Sequence, residues 1–301
     1  MRTPGGRIKS LPEITMITLR AYAKLNLALA VKGLRADGYH ELDTIMQSIS
    51  LYDAVTVEKA QGIKVTMDKP WADEQSNAAY KAASAFLSAT GSGGALITIN
   101  KNIPRMAGLG GASADAAAAL ISLNKLYGSP LKADALLSIA ASVGADVPFA
   151  LTGGTSRAKG IGEKLTPLKP EKPFYYAVVK PREGVSTAQA FQKYTSSGHI
   201  SMDSVEFAVI KGDIQMFTRF SNNALGLASL AIAPDILKAA AALKAAGALK
   251  AFMTGSGSAM FSVFETFEAA KSAAQLVGGG FELCGAFCPT ACGVEITGED
   301  I

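Results

Sequence analysis

From Ile17 to Leu34 the chain reads ITLRAYAKLNLALAVKGL, and its apolar and polar positions alternate, which predicts a strand. Period-two alternation puts Tyr22, Lys24, Asn26 and Ala28 on one face and Leu25, Leu27 and Leu29 on the other. A turn carrying Asp37-Gly38 follows, then further strand-like runs in DTIMQSISLYDAVTVEKA. NAAYKAASAFLSATG (77–91) has helical spacing and closes on glycine, whereas GALITINKNIP (94–104) is a strand stopped by Pro104. A glycine-rich loop leads into a helix running to about Tyr127, and KADALLSIAASVG gives another helix ending at Gly144.

The stretch 153–173, rich in glycine, lysine and proline, marks a boundary. FYYAVVKP opens the second half as a strand, and SVEFAVIKGDIQMFTRF reads as one helical stretch. The last third reads helix PDILKAAAALKAAG, strand LKAFMTG, turn SGS, strand AMFSVF, helix TFEAAKSAAQLVG and strand FELCGAF. That succession is a split β-α-β pattern of the ferredoxin-like sort, so the whole is an α+β chain. Its expected divisions are a disordered tail over 1–15, a nucleotide-binding domain over 16–172 and a ferredoxin-like domain over 173–301.

Composition narrows the function. The 301 residues are 49% hydrophobic and 18% charged, a globular balance long enough for a sizeable core. The net charge of +4 is not gathered into a block, which weighs against nucleic acid as a partner. No apolar run is long enough for a bilayer, and MRTPGGRIKSLPEI lacks the apolar region of a secretory signal, so the expected location is the cytoplasm, without a membrane partner. Cys284, Cys288 and Cys292 are evenly spaced, but no fourth ligand lies nearby in sequence, and free cysteines commonly behave as small buried hydrophobes.

The chemistry concentrates in PRMAGLGGASADAAAAL (104–120). Glycines let a backbone approach an anion, and a helix starting behind them adds unsatisfied N–H groups and about +0.5 charge of dipole. No Gly-Lys-Ser/Thr follows, so this is not a Walker A loop. It nearly matches the dinucleotide fingerprint, but Ser113 stands at the third glycine position and Pro104 separates it from the strand. A phosphate cradle and a plain glycine turn before a core helix both remain open. The alanines read as clearance for phosphates and as close packing in a helix they propagate well.

Three further features have two readings each. Lys24 is either a solvent-facing lysine or a cation aimed at phosphate or carboxylate. Asp146, in GADVPFAL, is either a turn aspartate or a general base toward a hydroxyl. TGSGS (254–258) is either an ordinary hairpin loop or part of a site.

Together, and in order, AYAKLNLAL, PRMAGLGGASADAAAAL and AFMTGSGSAMFSVF resemble the three motifs of the GHMP kinase superfamily. AKLNLALAVKGLRADGYHELDTIMQSISLYD, GADVPFAL and SNNAL are similar to the subfamily that phosphorylates 4-diphosphocytidyl-2-C-methyl-D-erythritol in the non-mevalonate isoprenoid route. The resemblance implies a two-domain GHMP kinase fold, with an N-terminal domain like domain 2 of ribosomal protein S5 and a ferredoxin-like C-terminal domain. It implies ATP and Mg2+, and a small-molecule substrate carrying a cytidine diphosphate, in a monomer or weak homodimer. Asp146 would be the catalytic base and Lys24 its partner. Pro104, Gly108, Gly110, Gly111, Ala112 and Ser113 would hold the ATP phosphates, with Asn77 and Lys101 near the adenosine. On the substrate side would lie Asn26, Tyr39 and His40, with Phe191 stacking on the cytosine. Thr254, Gly255, Ser256 and Gly257 would close around the substrate phosphates. Asn222-Asn223 departs from the Asn-Asp common in the family, which leaves that pair without an assigned role. A mevalonate- or homoserine-type kinase of the same superfamily, and a nucleic-acid-binding module, are the alternatives.

Overall fold

The computed structural model describes residues 14–69, 73–196 and 198–300. Of the expected tail, residues 1–13 lie outside them. Thr15, counted in that tail, instead donates its N–H to Asp300 O (2.9 Å).

The first half is a sheet with helices on it. Long strands β1 (Met16–Leu34) and β2 (His40–Ala60) pair antiparallel along their length, as the alternating sequence predicts. β3 (Ile63–Met67) follows, then helix α1 (Ala78–Thr90) and strand β4 (Gly94–Asn100). Asn77 caps α1 by accepting from Ala79 N–H, and Gly91 ends it in the left-handed conformation at φ 66°. Next come α2 (Gly111–Leu126), α3 (Ala133–Val143) and α4 (Val147–Thr152). β5 (Thr155–Gly160) and β6 (Lys164–Leu168) form a hairpin where the sequence shows a domain boundary. Glycine and lysine in that stretch serve strand pairing against β2 and a turn, not a linker.

The alanines of α2 are core. Ala114 and Ala116 to Ala119 are all buried, and the helix packs on β1, β2, α1 and α4 at once. Small side chains let a central helix approach a sheet and two helices closely, and larger ones there would overpack by about 1–3 kcal/mol. Clearance for a ligand is left to Ala112 alone among these alanines, which lines the cavity described below.

In the second half, β7 (Tyr175–Lys180) leads to four short helices, α5 (Thr187–Lys193), α6 (Met202–Lys211), α7 (Ile214–Phe220) and α8 (Gly226–Leu230). The single helical stretch expected here is two helices. Gly212 turns left-handed at φ 67°, and Asp213 caps a new start by accepting from Met216 N–H (2.8 Å). Then come α9 (Ile236–Ala245), β8 (Phe252–Met253), β9 (Met260–Phe264), α10 (Phe267–Val277), β10 (Leu283–Phe287) and β11 (Val294–Asp300). The second sheet has the order β10-β7-β9-β8, antiparallel throughout, so β9 splits β7 from β8. Aromatic rings of Phe174, Phe217, Phe252 and Phe261 fill its core.

β11 does not stay with this second sheet. It pairs antiparallel with β1 at the edge of the first, in the order β11-β1-β2-β4-β3, so 173–301 is not one self-contained unit. The free edge of β1 supplies the reason: its backbone groups need partners, and the returning strand provides them. β1 is also stitched to the α7–α8 segment, where Leu29 N–H donates to Asn222 O (3.0 Å) and Ala224 N–H to Leu29 O (2.8 Å).

Candidate active site

The two halves meet around one cavity of about 930 Å3. Its walls come from the middle of β1, the loop before α2, the start of α4, the turn before β2, and the β8–β9 loop.

The loop before α2 is built by close backbone approach. Gly108 has φ 74°, and a Cβ placed on it would stand 2.1 Å from Thr254 O. Gly110 has φ 75°, and its Cβ would meet Lys24 Cγ at 2.9 Å. Both positions therefore require glycine. Lys24 N–H donates to Leu109 O, while Ser258 and Ala259 N–H donate to Met106 O and Ala107 O (2.9–3.2 Å). The first and third motifs thus lock onto the second. No side chain caps α2, so its N-terminus opens toward the cavity beside Gly110, Gly111, Ala112 and Ser113.

Across from that helix end, Lys24 is buried, not solvent-facing, at 7% exposure. Its Nζ lies 3.1 Å from Asp146 Oδ2 and 2.5 Å from Asn26 Oδ1. Asn26 in turn donates from Nδ2 to Thr44 Oγ1 (2.9 Å), which fixes its oxygen toward the lysine. Asp146 sits at the first residue position before α4, makes no capping bond with its side chain, and keeps its carboxylate for Lys24 and the cavity. A cation, a half-open carboxylate and an uncapped helix N-terminus converge, an arrangement suited to taking a proton from a hydroxyl beside bound phosphate.

The other expected residues divide. Pro104, Asn77, Tyr39, His40, Phe191, Gly255 and Ser256 line the same cavity. The His40 imidazole stacks on Phe191 at 4.9 Å between centroids, and Tyr194 meets His40 edge-on. Tyr39 stands at the rim, 61% exposed. Thr254 and Gly257 do not line the cavity. Thr254 is a strut whose Oγ1 accepts from Asn26 N–H (2.9 Å) and donates to Gly108 O (3.2 Å). Gly257 packs against Met253, whose Sδ would lie 2.7 Å from an added Cβ.

Lys101 lines the cavity, but its ammonium does not reach out as a free contact for adenosine. It is held by the carboxylates of Asp53 and of Asp115, the latter at 2.5 Å. Burial pulls this ammonium down, but the two carboxylates outweigh that and hold it above the ordinary lysine range. Burial pushes the Asp115 carboxyl up to about 8, Lys101 opposing and the neighbouring Asp53 charge adding to the rise.

Asp53, Asp115 and Thr44 are site residues that the sequence motifs do not single out, and Asn223 is singled out only as a departure from the family pattern. Asp115 lies inside the quoted motif, among alanines that are buried from Ala114 onward. Asn223, left without a role, donates from Nδ2 to Met253 O and Gly255 O (2.8 Å each) and holds the β8–β9 loop.

The family models for the GHMP kinases N terminal domain and GHMP kinases C terminal match residues 77–154 and 208–279. The chain is 43% identical over 265 residues to 4-diphosphocytidyl-2-C-methyl-D-erythritol kinase of Desulfitobacterium hafniense, covering 86% of this chain and 91% of that protein. It is 42% identical over 259 residues to the kinase of the same name from Carboxydothermus hydrogenoformans, covering 83% and 89%. A crystal structure of 4-(cytidine 5'-diphospho)-2C-methyl-D-erythritol kinase superposes with a TM-score of 0.76 at 32% identity, over 90% of this chain and 99% of that one. Homoserine kinase from Cytophaga hutchinsonii superposes with a TM-score of 0.77 at 18% identity, over 97% of this chain and 100% of that one, a likeness of fold alone. The chain belongs to the GHMP kinases and, within them, to the 4-diphosphocytidyl-2-C-methyl-D-erythritol kinase family.

Proposed function

We propose that this chain is an ATP-dependent kinase that phosphorylates the 2-hydroxyl of 4-diphosphocytidyl-2-C-methyl-D-erythritol, in the non-mevalonate route to isoprenoid precursors. The observation that carries the reading is Asp146, paired with Lys24, facing the uncapped start of α2 across one cavity, in a chain co-linear with kinases of that name.

Phosphoryl transfer asks a protein mainly for positioning and charge stabilisation. The start of α2 would receive the triphosphate, its backbone N–H groups and dipole meeting the negative charge. Asp146 would accept the hydroxyl proton, worth about 10²–10⁴-fold for a well-placed base. Lys24 would orient that carboxylate and balance charge at the transferred group. The cytosine would extend the stack that Phe191 and His40 already form, with Tyr39 at the rim. Magnesium is expected with the nucleotide. Among the described residues no three His, Cys, Asp or Glu side chains converge to hold a metal. No step here depends on the ion.

The strand order β10-β7-β9-β8 supports a ferredoxin-like second domain, and we read the first as similar to domain 2 of ribosomal protein S5. The boundary near 172 stands in this reading with β11 assigned to the first domain. We read the protein as a cytoplasmic monomer or weak homodimer acting on a small molecule, without nucleic-acid or membrane partners. No helix among the described residues is long and apolar enough to cross a membrane. Substrate profiling tests the reading. Turnover of the cytidine-bearing alcohol with ATP, and none of mevalonate or homoserine, is expected; the reverse preference would move the chain to another branch of the superfamily.

A further inference from the structure

Three titratable side chains lie buried together behind the α2 N-terminus, and the proposed mechanism uses none of them. Asp53 on β2 is fully buried; its Oδ1 accepts from Asn102 and Ile103 N–H (2.6 and 2.8 Å), pinning the chain just before the glycine loop. Its Oδ2 bonds Lys101 Nζ and lies 3.5 Å from where a Cβ on Gly111 would stand, beneath the first residue of α2. Asp115, one turn along α2, meets Lys101 through Oδ2, while its Oδ1 has no hydrogen-bond partner among the described residues. Asp115 and Lys101 both belong to the cavity wall.

One cation here faces two carboxylates. With both ionised the cluster carries one net negative charge, directly behind the turn that would receive a triphosphate. With a proton on Asp115 the cluster is neutral. The partnerless Oδ1 is the natural seat for that proton, because Oδ2 is already engaged by an ammonium.

We propose that the Asp53–Lys101–Asp115 cluster positions the nucleotide turn and couples nucleotide affinity to a single proton on Asp115. The protonated, neutral cluster favours the polyanion, and the ionised cluster repels it. The proton comes from solvent and forms an O–H bond on Oδ1; no other bond changes. This rests on the reading of the cavity as an ATP site. Asp115 also has the environment such a role needs, its carboxyl being held up to about 8 by burial and then by Asp53 against the pull of Lys101.

The other charged groups around the cluster are fixed partners. Asp68 Oδ1 accepts from Lys101 N–H, and Lys69 Nζ donates to Lys101 O. β1 contributes Lys24 and the residue before α4 contributes Asp146, paired with each other, and the glycine loop contributes Arg105; α1 and its cap bring only the uncharged Ala78 and Asn77 to the cavity. The terminal phosphate of ATP loses its last proton at lower pH than Asp115, as phosphate monoesters do at about 6.

The test is calorimetric titration of the full chain with ATP from pH about 7 to about 9.5, each point in two buffers of different ionisation enthalpy. The wild-type Kd is expected to be flat below about 8 and to rise up to tenfold per pH unit above it, with net proton uptake on binding there. Asp115→Asn, neutral at every pH, is expected to lose both the rise and the uptake. Wild-type binding without uptake, or an equal slope in a folded Asp115→Asn, overturns the inference while leaving the kinase reading intact. The buffer comparison needs only the wild-type chain, so a variant that fails to fold does not remove the test. Absence of ATP binding at every pH overturns the kinase reading and this inference together.

Discussion

A Cβ on Gly108 would stand 2.1 Å from the carbonyl oxygen of Thr254, 146 residues further along the chain. The glycine there is demanded by a second loop as much as by any ligand. Its φ of 74° adds a second penalty for any other residue. Gly108→Ala is therefore expected to lower the thermal midpoint and to weaken ATP binding, because strain of about 1–3 kcal/mol is joined by displacement of the β8–β9 loop. Gly128→Ala is the control. Gly128 has φ 78° but open space around it, so it should show the backbone penalty without the loss of binding.

Asn223→Asp separates an amide from a carboxylate. The Nδ2 donates to two carbonyl oxygens of the β8–β9 loop, and a carboxylate has no hydrogen to give. Loss of about 1–3 kcal/mol in stability is expected, with a raised KM for the phosphate-acceptor substrate, measured by denaturant unfolding and steady-state kinetics. Unchanged stability would mean that the loop does not depend on this anchor.

Arg157 joins the two halves. From β5 it forks onto Asp43 of β2 (2.7 and 2.8 Å) and reaches Asp203 and Glu206 of α6 (2.6 and 2.8 Å). Arg157→Ala leaves the buried Asp43 without its cation and is expected to cost about 3 kcal/mol, read as a lower urea midpoint at unchanged slope. Asp203→Ala, at an exposed carboxylate, should leave the midpoint nearly where it was.

Stability should also carry the signature of Asp115. Burial holds its folded carboxyl up to about 8, well above the ordinary 3.8. Between those values the native state binds more protons than the unfolded chain, so this group makes stability fall as pH rises through that window. Lys101, raised above 10.5, contributes stability that is lost only at higher pH, beyond the window. Urea midpoints for wild type and Asp115→Asn across the window should diverge as pH rises, the variant being the flatter. Parallel profiles would contradict the assignment.

Local patterns carried much of this molecule in the sequence. The ends of α1 follow from Asn77 and Gly91, and the cavity-lining loop from its glycines, because caps and positive φ are decided by near neighbours. Lys24 was ambiguous because its residue type favours solvent; its burial comes from Leu109, Gly110 and the β8–β9 loop closing over β1. Asp115 was invisible as a site residue because an acid in an alanine-rich helix looks the same whether it faces water or Lys101. The return of β11 to β1 depends on which edge remains open after the first half has folded, and no local alternation encodes that. The alanines allow close packing, as their size suggests, but only the packing of α1, α4 and the sheet against α2 shows how little of their space is left as clearance.

The most direct measurement is single-turnover phosphate transfer from ATP to 4-diphosphocytidyl-2-C-methyl-D-erythritol by wild type and by Asp146→Ala, with ligand binding measured in parallel. The wild type is expected to phosphorylate the 2-hydroxyl, and the folded variant to bind both ligands yet transfer about 10²–10⁴-fold more slowly. Full transfer by Asp146→Ala, or none by the wild type with both ligands bound, would contradict the account.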